Sequence, residues 1–296
     1  VMLWMNEGFK IIKKEYSVNG IINNLNLEHK EIKNIKKFFP SYNSKIILKD
    51  SKVNIDNVNN LKLYGLVKFD KEFNDFSIKY SGLNEKNFRV SCKINLQELS
   101  LKIPNLNYSK EKNIKADLDF YIDSTKFGYD IGRLLYSSEK SKIELDKIRL
   151  NKKFEIKDLR NIKVKTFNDN FKNNDFHIGK HGTLKNTIFI IGKLLDAEPL
   201  LKSLYKTNDK KTLSKDFNSE IKVNLDKTVT GSKDDITDLS VIATIKTGTY
   251  KKLSLKGNFS ENEIIEMSIY QVDNNKRTLQ VISDRARPFL KNFNFI

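Results

Sequence analysis

The sequence predicts a mainly β protein, built as a long antiparallel sheet with a few short helices. Three observations predict this class. Apolar and polar residues alternate with a period of two along many segments, which is the pattern of strands that bury one face. Turn-forming pairs such as Ser81-Gly82 and Thr247-Gly248 separate these segments. Alanine, the best helix former, occurs only four times in 296 residues.

Two strands are predicted in the first half of the chain, at residues 88–96 and 114–123. In both, one face is apolar and the other is polar or charged. The apolar faces comprise Phe88, Val90, Cys92, Ile94 and Leu96 in the first strand and Ile114, Ala116, Leu118, Phe120 and Ile122 in the second. An antiparallel sheet with one solvated face accounts for this alternation.

Four further strands are predicted in the last third of the chain, with the same one-sided pattern. Their apolar positions begin with Ile221, Val223 and Leu225, continue with Leu239, Val241, Ala243 and Ile245, then Leu253, Leu255, Gly257 and Phe259, and end with Ile265, Met267 and Ile269. The strands lack the intervening amphipathic helices of repeated βαβ units, which argues against a doubly wound parallel sheet.

Helical patterns are few. Helical spacing at Ile11, Ile12 and Tyr16 predicts helix within residues 7–39, ending at Pro40. The same spacing recurs at Ile32, Ile35 and Phe38. Short helices are predicted at residues 196–205 and 284–293, and these two segments resemble each other. Residues 197–204 align with residues 286–293, and each copy uses one of the four alanines and one of the four prolines. This indicates an internal repeat in which each section of the sheet ends with a short helix.

The high positive charge suggests a nucleic-acid partner, but the scarcity of Arg weakens that inference. Lys and Arg total 54 against 37 Asp and Glu, which makes the net charge +17, but only seven of the 54 are Arg. Proteins that read nucleic acids favour Arg for bidentate contacts. We therefore interpret the charge as lysines spread over solvated faces and expect no nucleic-acid partner. Attraction to anionic lipid head groups stays open.

The sequence contains no convincing catalytic or metal-binding pattern. Asp117, Asp119 and Asp123 share one strand face, but no glycine-bearing loop gathers their oxygens. His177 and His181 are four residues apart, and glycines interrupt any helix there. Cys92 is the single cysteine and lies on an apolar strand face. We therefore expect a protein that is not an enzyme and has no metal and no cofactor.

The apolar face itself remains as the candidate functional feature. A one-sided sheet covers that face with helices, with another sheet, or with something that is not protein, and the predicted helices are too few here. Two alternatives stay open: a packed β core, or a groove that holds an apolar ligand. The groove hypothesis predicts a lining that includes Phe88, Val90, Ile94, Leu118, Phe120, Val223, Leu225, Val241, Ile245, Leu255 and Phe259.

Several segments resemble AsmA-like proteins, in particular the YhdP/TamB branch. These segments are residues 99–119, 192–201, 221–227, 253–259 and 277–290, within a resemblance that covers about residues 55–296. The resemblance implies a long twisted antiparallel sheet curled into a U-shaped hydrophobic groove, anchored in the inner membrane of diderm bacteria and extending through the periplasm. It also implies transport of phospholipids toward the outer membrane, in support of envelope integrity.

On this resemblance we expect a periplasmic lipid-conducting protein whose partners are phospholipid acyl chains and the inner and outer membranes. The family's N-terminal membrane anchor has no counterpart in this sequence, so we expect a fragment or split product that joins other segments of a longer protein. The predicted sections are a partly helical region with the first strands at 1–54, a first groove section at 55–205 and a C-terminal groove section at 206–296. The alternative is a structural or scaffolding envelope protein with a packed β core and no ligand.

Overall fold

A computed structural model shows that the protein is mainly β, as predicted, with 73% of the described residues in strands and 5% in helices. The structure describes residues 1–28, 33–42, 45–56, 59–83, 87–169, 171–180, 186–204, 213–231, 234–273 and 276–285. Sixteen strands form one large sheet that is mostly antiparallel and not closed into a barrel. The chain divides into two compact units. Unit 1 comprises Val1–Lys102 and Lys110–Glu139, and unit 2 comprises Ile103–Ser109 and the chain from Lys140 on.

Unit 1 contains seven strands of the large sheet, and every neighbouring pair among them is antiparallel. In spatial order they are β11 (Gly128–Ser138), β10 (Ala116–Thr125), β7 (Phe88–Asn95), β6 (Phe73–Gly82), β5 (Asn60–Lys68), β4 (Lys45–Asp56) and β3 (Ser17–Glu28). A separate hairpin precedes them, made of β1 (Met2–Met5) and β2 (Ile11–Glu15). The strands predicted at 88–96 and 114–123 are confirmed as β7 and β10.

Unit 2 contains nine strands of the sheet, in the order of the chain. They are β12 (Lys142–Asn151), β13 (Ile156–Asn168), β14 (Phe171–Lys180), β15 (Thr187–Asp196), β16 (Ser219–Val229), β17 (Ile236–Lys246), β18 (Thr249–Ser260), β19 (Glu263–Asp273) and β20 (Lys276–Ser283). The four strands predicted between residues 221 and 269 are confirmed as β16 to β19. One pair, β15 and β16, is parallel. The 22 residues between these strands include a helix, and a parallel pair needs such a long crossover connection.

The helix predicted over residues 7–39 is wrong for most of its length. Ile11 and Ile12 lie on β2, and residues 17–28 form β3, which pairs with β4 from end to end. Valine and isoleucine are frequent there, and β-branched residues fit a paired strand better than a helix. Among the described residues of this region, helix is found only at α1 (Lys33–Phe38), which ends two residues before Pro40.

The short helix predicted at residues 196–205 is confirmed as α2 (Glu198–Leu204). Glu198 in its first turn and Lys202 in its last turn suit the helix dipole, and their side chains form an ion pair at 2.5 Å. The second predicted helix falls mainly on residues 286–293, which lie outside the described residues. The repeat therefore stays a prediction from the sequence.

A buried polar cluster fastens a short irregular segment to unit 2. The strands β8 (Leu101–Ile103) and β9 (Tyr108–Lys110) flank a 3₁₀ turn at Pro104–Leu106. Asn174 on β14 is fully buried, and its Nδ2 donates to the Leu106 carbonyl at 2.7 Å and to the Thr166 hydroxyl at 3.0 Å. Its Oδ1 accepts the backbone N–H of Asp196 at 3.0 Å. Because these buried groups are paired, the segment is held without the cost of an unmade hydrogen bond.

Candidate functional site

A continuous apolar row crosses all nine strands of unit 2, with one residue from each strand. Each member lies directly opposite the next on the neighbouring strand, so all of them share one face of the sheet. The side chains are half-buried along the row, and the last member is 37% exposed. This row, called here the unit 2 row, is Leu145, Ile162, Ile178, Ile190, Val223, Val241, Leu255, Met267 and Val281.

A second row lies two residues further along the strands on the same face, and it is closed. Its apolar side chains are between 2% and 8% exposed, which is the burial of a packed core. Members are again direct partners. This sealed row is Ile143, Val164, Phe176, Gly192, Leu225 and Leu239. Two residues along each strand thus separate a closely packed apolar row from an apolar row that still contacts water.

Gly192 is part of what allows the sealed row to close. A Cβ at this position would lie 2.4 Å from the Asp175 carbonyl oxygen and 2.5 Å from the Phe176 Cα. The β14–β15 register also shifts between Asp175 and Phe176. The backbones of β14 and β15 therefore approach more closely here than any side chain would permit.

Unit 1 carries a similar row on one face of its own strands. Each member lies directly opposite the next on the neighbouring strand, from β4 to β11, and all of the side chains are half-buried. This unit 1 row is Val53, Leu63, Ile78, Cys92, Phe120 and Leu134. Beside it, Leu48, Val67 and Phe76 form a closed cluster. Unit 1 therefore also combines a packed core with half-exposed apolar surface.

The structure brings the predicted lining residues of unit 1 together. Ile94 and Leu118 are direct partners, Phe120 lies opposite Cys92, and Val90 lies opposite Ile122. The Phe88 ring is 5.5 Å from the Tyr80 ring, with which it makes a tilted aromatic contact. The five predicted residues Phe88, Val90, Ile94, Leu118 and Phe120 are all half-buried.

The predicted lining residues of unit 2 fall into two groups. Val223, Val241 and Leu255 are consecutive members of the unit 2 row. Leu225 lies in the sealed row at 2% exposure, and Ile245 is 1% exposed, so their side chains pack within the protein. Phe259 is half-buried, and its ring centroid is 5.8 Å from the guanidinium carbon of Arg285.

Sequence reasoning missed several members of the unit 2 row. Ile190 belongs to the uninterrupted apolar run 188–191, in which a period of two does not mark which residue faces which side. Leu145 and Ile162 do alternate with polar residues, so a complete search for alternation would have found them. Their alignment into one row follows from strand register, which the pattern of a single strand does not specify.

The opposite face of unit 2 is polar. A depression of about 670 Å³ on this face mixes lysines, among them Lys163, with acidic residues, among them Asp175, so its charges nearly cancel. His177 in its lining has its Nε2 2.6 Å from Asn161 Oδ1, and burial together with Lys163 lowers the pKa of the imidazole. Because the imidazole is neutral and the surrounding charges nearly cancel, this depression favours no particular class of ligand.

The three aspartates on the β10 face each have a cross-strand partner. Arg89 donates from two nitrogens to Asp123 at 2.6 and 2.8 Å. Lys93 pairs with Asp119 at 3.4 Å, and Asn95 donates to Asp117 at 3.1 Å. These carboxylates thus serve to pair β7 with β10 across their solvated face.

The Cys92 thiol is half-buried in the unit 1 row. Burial, and next the charge of Asp119, raises the pKa of the Cys92 thiol to about 11, which keeps the sulfur protonated at neutral pH. Within the part of the chain that the structure describes, no cluster of three or more His, Cys, Asp or Glu could hold a metal ion; His181 lies outside it. None of the described helices is long and apolar enough to cross a membrane.

Comparisons of the chain with protein-family models, with curated proteins and with solved structures found no match. The likeness to AsmA-like proteins therefore stands on the sequence segments alone. The two half-buried apolar rows each continue across at least six strands of their unit.

Proposed function

We propose that the protein binds phospholipid acyl chains along its half-buried apolar rows and conducts them through the envelope of a diderm bacterium. One observation carries this proposal: the unit 2 row runs across nine strands without a polar residue, and its side chains are half-buried rather than sealed. The proposed role is that of a periplasmic lipid-conducting β protein that supports envelope integrity.

The dimensions of the unit 2 row suit an acyl chain. Neighbouring strands are about 4.8 Å apart, so the eight steps from Leu145 to Val281 make the row about 38 Å long. This exceeds the length of one extended acyl chain. Each methylene that moves from water onto the row contributes about 0.8 kcal/mol. With no polar group along the row, no position holds the chain more firmly than the next, and this favours sliding.

Following the sequence resemblance, the protein would act in the periplasm, between the inner and outer membranes. The head groups would stay in water while the acyl chains lie on a concave, U-shaped continuation of this face. The inner and outer membranes would be the source and destination of the lipid, with other segments of a longer parent protein completing the path. The polar outer face of unit 2, with its cross-strand pairs such as Lys256–Glu266 at 2.8 Å, suits an aqueous compartment.

A structural or scaffolding role is the second candidate, and the sealed row favours it. Leu225 and Leu239 are 2% and 7% exposed, so part of the apolar face is already occupied by the protein itself. If the remaining half-buried rows contact only other protein segments, the protein has no ligand.

Site-specific photocrosslinking in cells separates the two candidates. A photoreactive amino acid at Val241 tests the unit 2 row, and one at Phe120 tests the unit 1 row. Ile242 is the matched control, since it is the next residue on β17 and is 50% exposed on the opposite face. We expect phospholipid adducts at Val241 and Phe120 and none at Ile242. Adducts to protein alone at both row positions would reject lipid conduction and support the scaffolding role.

A further inference from the structure

Two lysines lie directly opposite each other on the polar face of unit 1. Lys62 on β5 and Lys79 on β6 are direct partners in the antiparallel pairing of these strands, and both side chains are exposed. Residues in this arrangement have Cβ atoms about 5 Å apart, and like charges there destabilise the strand pair. An anion placed between the two ammonium groups would remove this repulsion.

The protein itself supplies no such anion. Neither lysine forms an ion pair with any residue that the structure describes. The two nearest cations on the same face are matched, because Arg89 is bound to Asp123 at 2.6 Å and Lys93 to Asp119 at 3.4 Å. Lys62 and Lys79 therefore carry positive charge that the surrounding strands leave unmatched.

A second directly opposite lysine pair, Lys142 and Lys165 in unit 2, has carboxylates beside it. Lys142 forms an ion pair with Glu144 at 2.6 Å, and Lys165 also lies directly opposite Asp175 on β14. The fold thus brings acidic side chains to one lysine pair and not to the other. This contrast makes the Lys62–Lys79 pair the candidate binding site.

Three hydroxyl groups surround Lys79. Ser77 and Ser81 are two residues away along β6 on either side, so they share the face of Lys79. Ser91 on β7 lies directly opposite Lys79. Together with the two ammonium groups, these hydroxyls offer hydrogen-bond donors to one small anion from several directions. The five residues Lys62, Ser77, Lys79, Ser81 and Ser91 are called here the Lys62–Lys79 site.

A phosphate group matches this set of donors. Lysine binds phosphate as a point charge at the end of a flexible side chain. Charge-assisted bonds from lysine are about 2.8 Å long, so one phosphate group can contact both members of a directly opposite pair. A carboxylate has only two oxygens, whereas a phosphate ester has more oxygens with which to accept bonds from the lysines and the hydroxyls together.

We propose that the Lys62–Lys79 site binds a phosphate group. The site lies on the face opposite the unit 1 row, because Lys62 is next to Leu63 and Lys79 is next to Ile78 along their strands. The proposal therefore goes beyond lipid conduction and does not depend on it. A soluble phosphate ester and a phospholipid head group both carry the group, and the test separates these two sources.

The test titrates the purified protein with glycerol 3-phosphate at low salt, with phosphorus NMR as the measurement. Lys62→Gln and Lys79→Gln each remove one charge from an exposed side chain, so the fold is retained. We expect each change to weaken binding about 10-fold, and Ser91→Ala to weaken it about 3-fold. Lys142→Gln is the matched control. It removes the same charge from the lysine pair that already has carboxylates, so binding should equal wild type.

Thermal unfolding gives an independent measurement. Without phosphate, Lys79→Gln should raise the melting temperature by about 1 °C, because the repulsion with Lys62 is removed. Glycerol 3-phosphate should raise the melting temperature of the wild-type protein, since it binds the folded state, and should leave that of Lys79→Gln nearly unchanged.

Vesicles that contain phosphatidic acid, whose head group is a phosphate monoester, identify the source. If Lys79→Gln weakens the binding of both vesicles and glycerol 3-phosphate, the site takes lipid head groups. If it weakens only the binding of glycerol 3-phosphate, the site takes a soluble ester. Either result supports the proposal.

Two results would overturn the proposal. The first is wild-type protein that does not change the phosphorus signal of glycerol 3-phosphate. The second is equal weakening by Lys142→Gln and Lys79→Gln, which would assign binding to the net charge of +17. Neither result affects lipid crosslinking at Phe120 or Val241, so failure of the two proposals is distinguishable.

Discussion

Val223 on β16 and Val241 on β17 lie directly opposite each other at the middle of the unit 2 row, and both side chains are half-buried. Two residues along the same strands, Leu225 and Leu239 are also direct partners, but they are 2% and 7% exposed. The two pairs differ little in chemistry and share one face. Their different exposure therefore separates the surface proposed to hold lipid from the core that holds the unit together.

Val241→Asp should remove lipid binding with little loss of stability. A carboxylate in the middle of the unit 2 row would have to lose its hydration when an acyl chain covers it, and this costs several kcal/mol. We expect the phospholipid recovered with the purified protein to fall about fivefold or more, as measured by phosphate content and mass spectrometry. Because Val241 is half-buried, the folding cost stays at about 1 kcal/mol.

Ile242→Asp is the control for this change, since it places the same carboxylate on the same strand but on the opposite face. It should leave the recovered lipid at the wild-type amount. If both variants lose lipid equally, the loss results from a less stable β17 and not from the row. If both variants retain lipid, the lipid does not bind at the unit 2 row.

The sequence predicted the strands better than their assembly. Alternation of apolar and polar residues correctly predicted β7, β10 and β16 to β19, because each of these strands buries one face. That pattern is visible within the sequence of a single strand. The helix wrongly predicted at residues 7–28 shows where such patterns fail. β3 is a strand because it pairs with β4, whose partner residues are 17 to 39 positions away in the sequence. The exposure of Val223 and the burial of Leu225 also depend on the neighbouring strands. Alternation alone could not distinguish them, and both were predicted to line the groove.

Gly192→Ala should destabilise unit 2 strongly for a change of one methyl group. The new Cβ would meet the backbone of Asp175 and Phe176 at about half an ångström or more inside normal contact, and backbone atoms in a paired strand cannot move away cheaply. We expect a loss of about 2 to 3 kcal/mol in the free energy of unfolding, measured by chemical denaturation.

Gly20→Ala is the matched comparison. Gly20 also lies within a strand, β3, but a Cβ there meets nothing within 4 Å. This change should leave stability unchanged or raise it by about 0.5 kcal/mol, since alanine reduces the entropy of the unfolded chain. A Gly192→Ala protein as stable as Gly20→Ala would show that β14 and β15 do not approach as closely as described.

Asn174→Leu should release the irregular segment at residues 104–107. The change leaves the Asp196 N–H without its buried side-chain acceptor. It also removes one of the two amide donors to the Leu106 carbonyl, which keeps Asn173 Nδ2 at 3.1 Å. An unmade buried hydrogen bond costs about 1 to 3 kcal/mol. We expect faster amide hydrogen exchange at residues 106–109 together with a lower free energy of unfolding. Asn168→Ala removes more exposed contacts to the same segment and should have less than half the effect; a larger effect than Asn174→Leu would contradict this assignment.

Lys110 should make stability rise with pH above neutrality. Its side chain is 2% exposed, and its Nζ donates to the carbonyls of Gln97, Glu111 and Ile114 at 3.3, 2.8 and 3.2 Å. Burial lowers the pKa of this ammonium to about 8, although Glu98 and Glu111 act in the opposite direction. Between that value and about 10.4, the unfolded chain holds a proton that the folded chain has released. The unfolded state binds more protons in this window, so the free energy of unfolding increases with pH there.

Because other lysines and tyrosines titrate in the same range, the quantity to measure is the difference between wild type and Lys110→Met. As pH rises from 7.5 to 10, the wild-type protein should gain stability relative to Lys110→Met, by about 3 kcal/mol at most. A difference that stays constant with pH would mean that Lys110 keeps its ordinary pKa in the folded protein.

Phe154→Asn should stabilise the protein. Asparagine adopts the left-handed backbone of Phe154 more readily than phenylalanine does. We expect unfolding to require about 0.5 to 1 kcal/mol more free energy in the variant, measured by chemical denaturation. Phe154→Ala removes the ring without this conformational gain, so it should leave stability near the wild-type value. If Phe154→Asn instead loses more than about 1 kcal/mol, the contacts of the ring stabilise the fold by more than the unfavourable backbone costs.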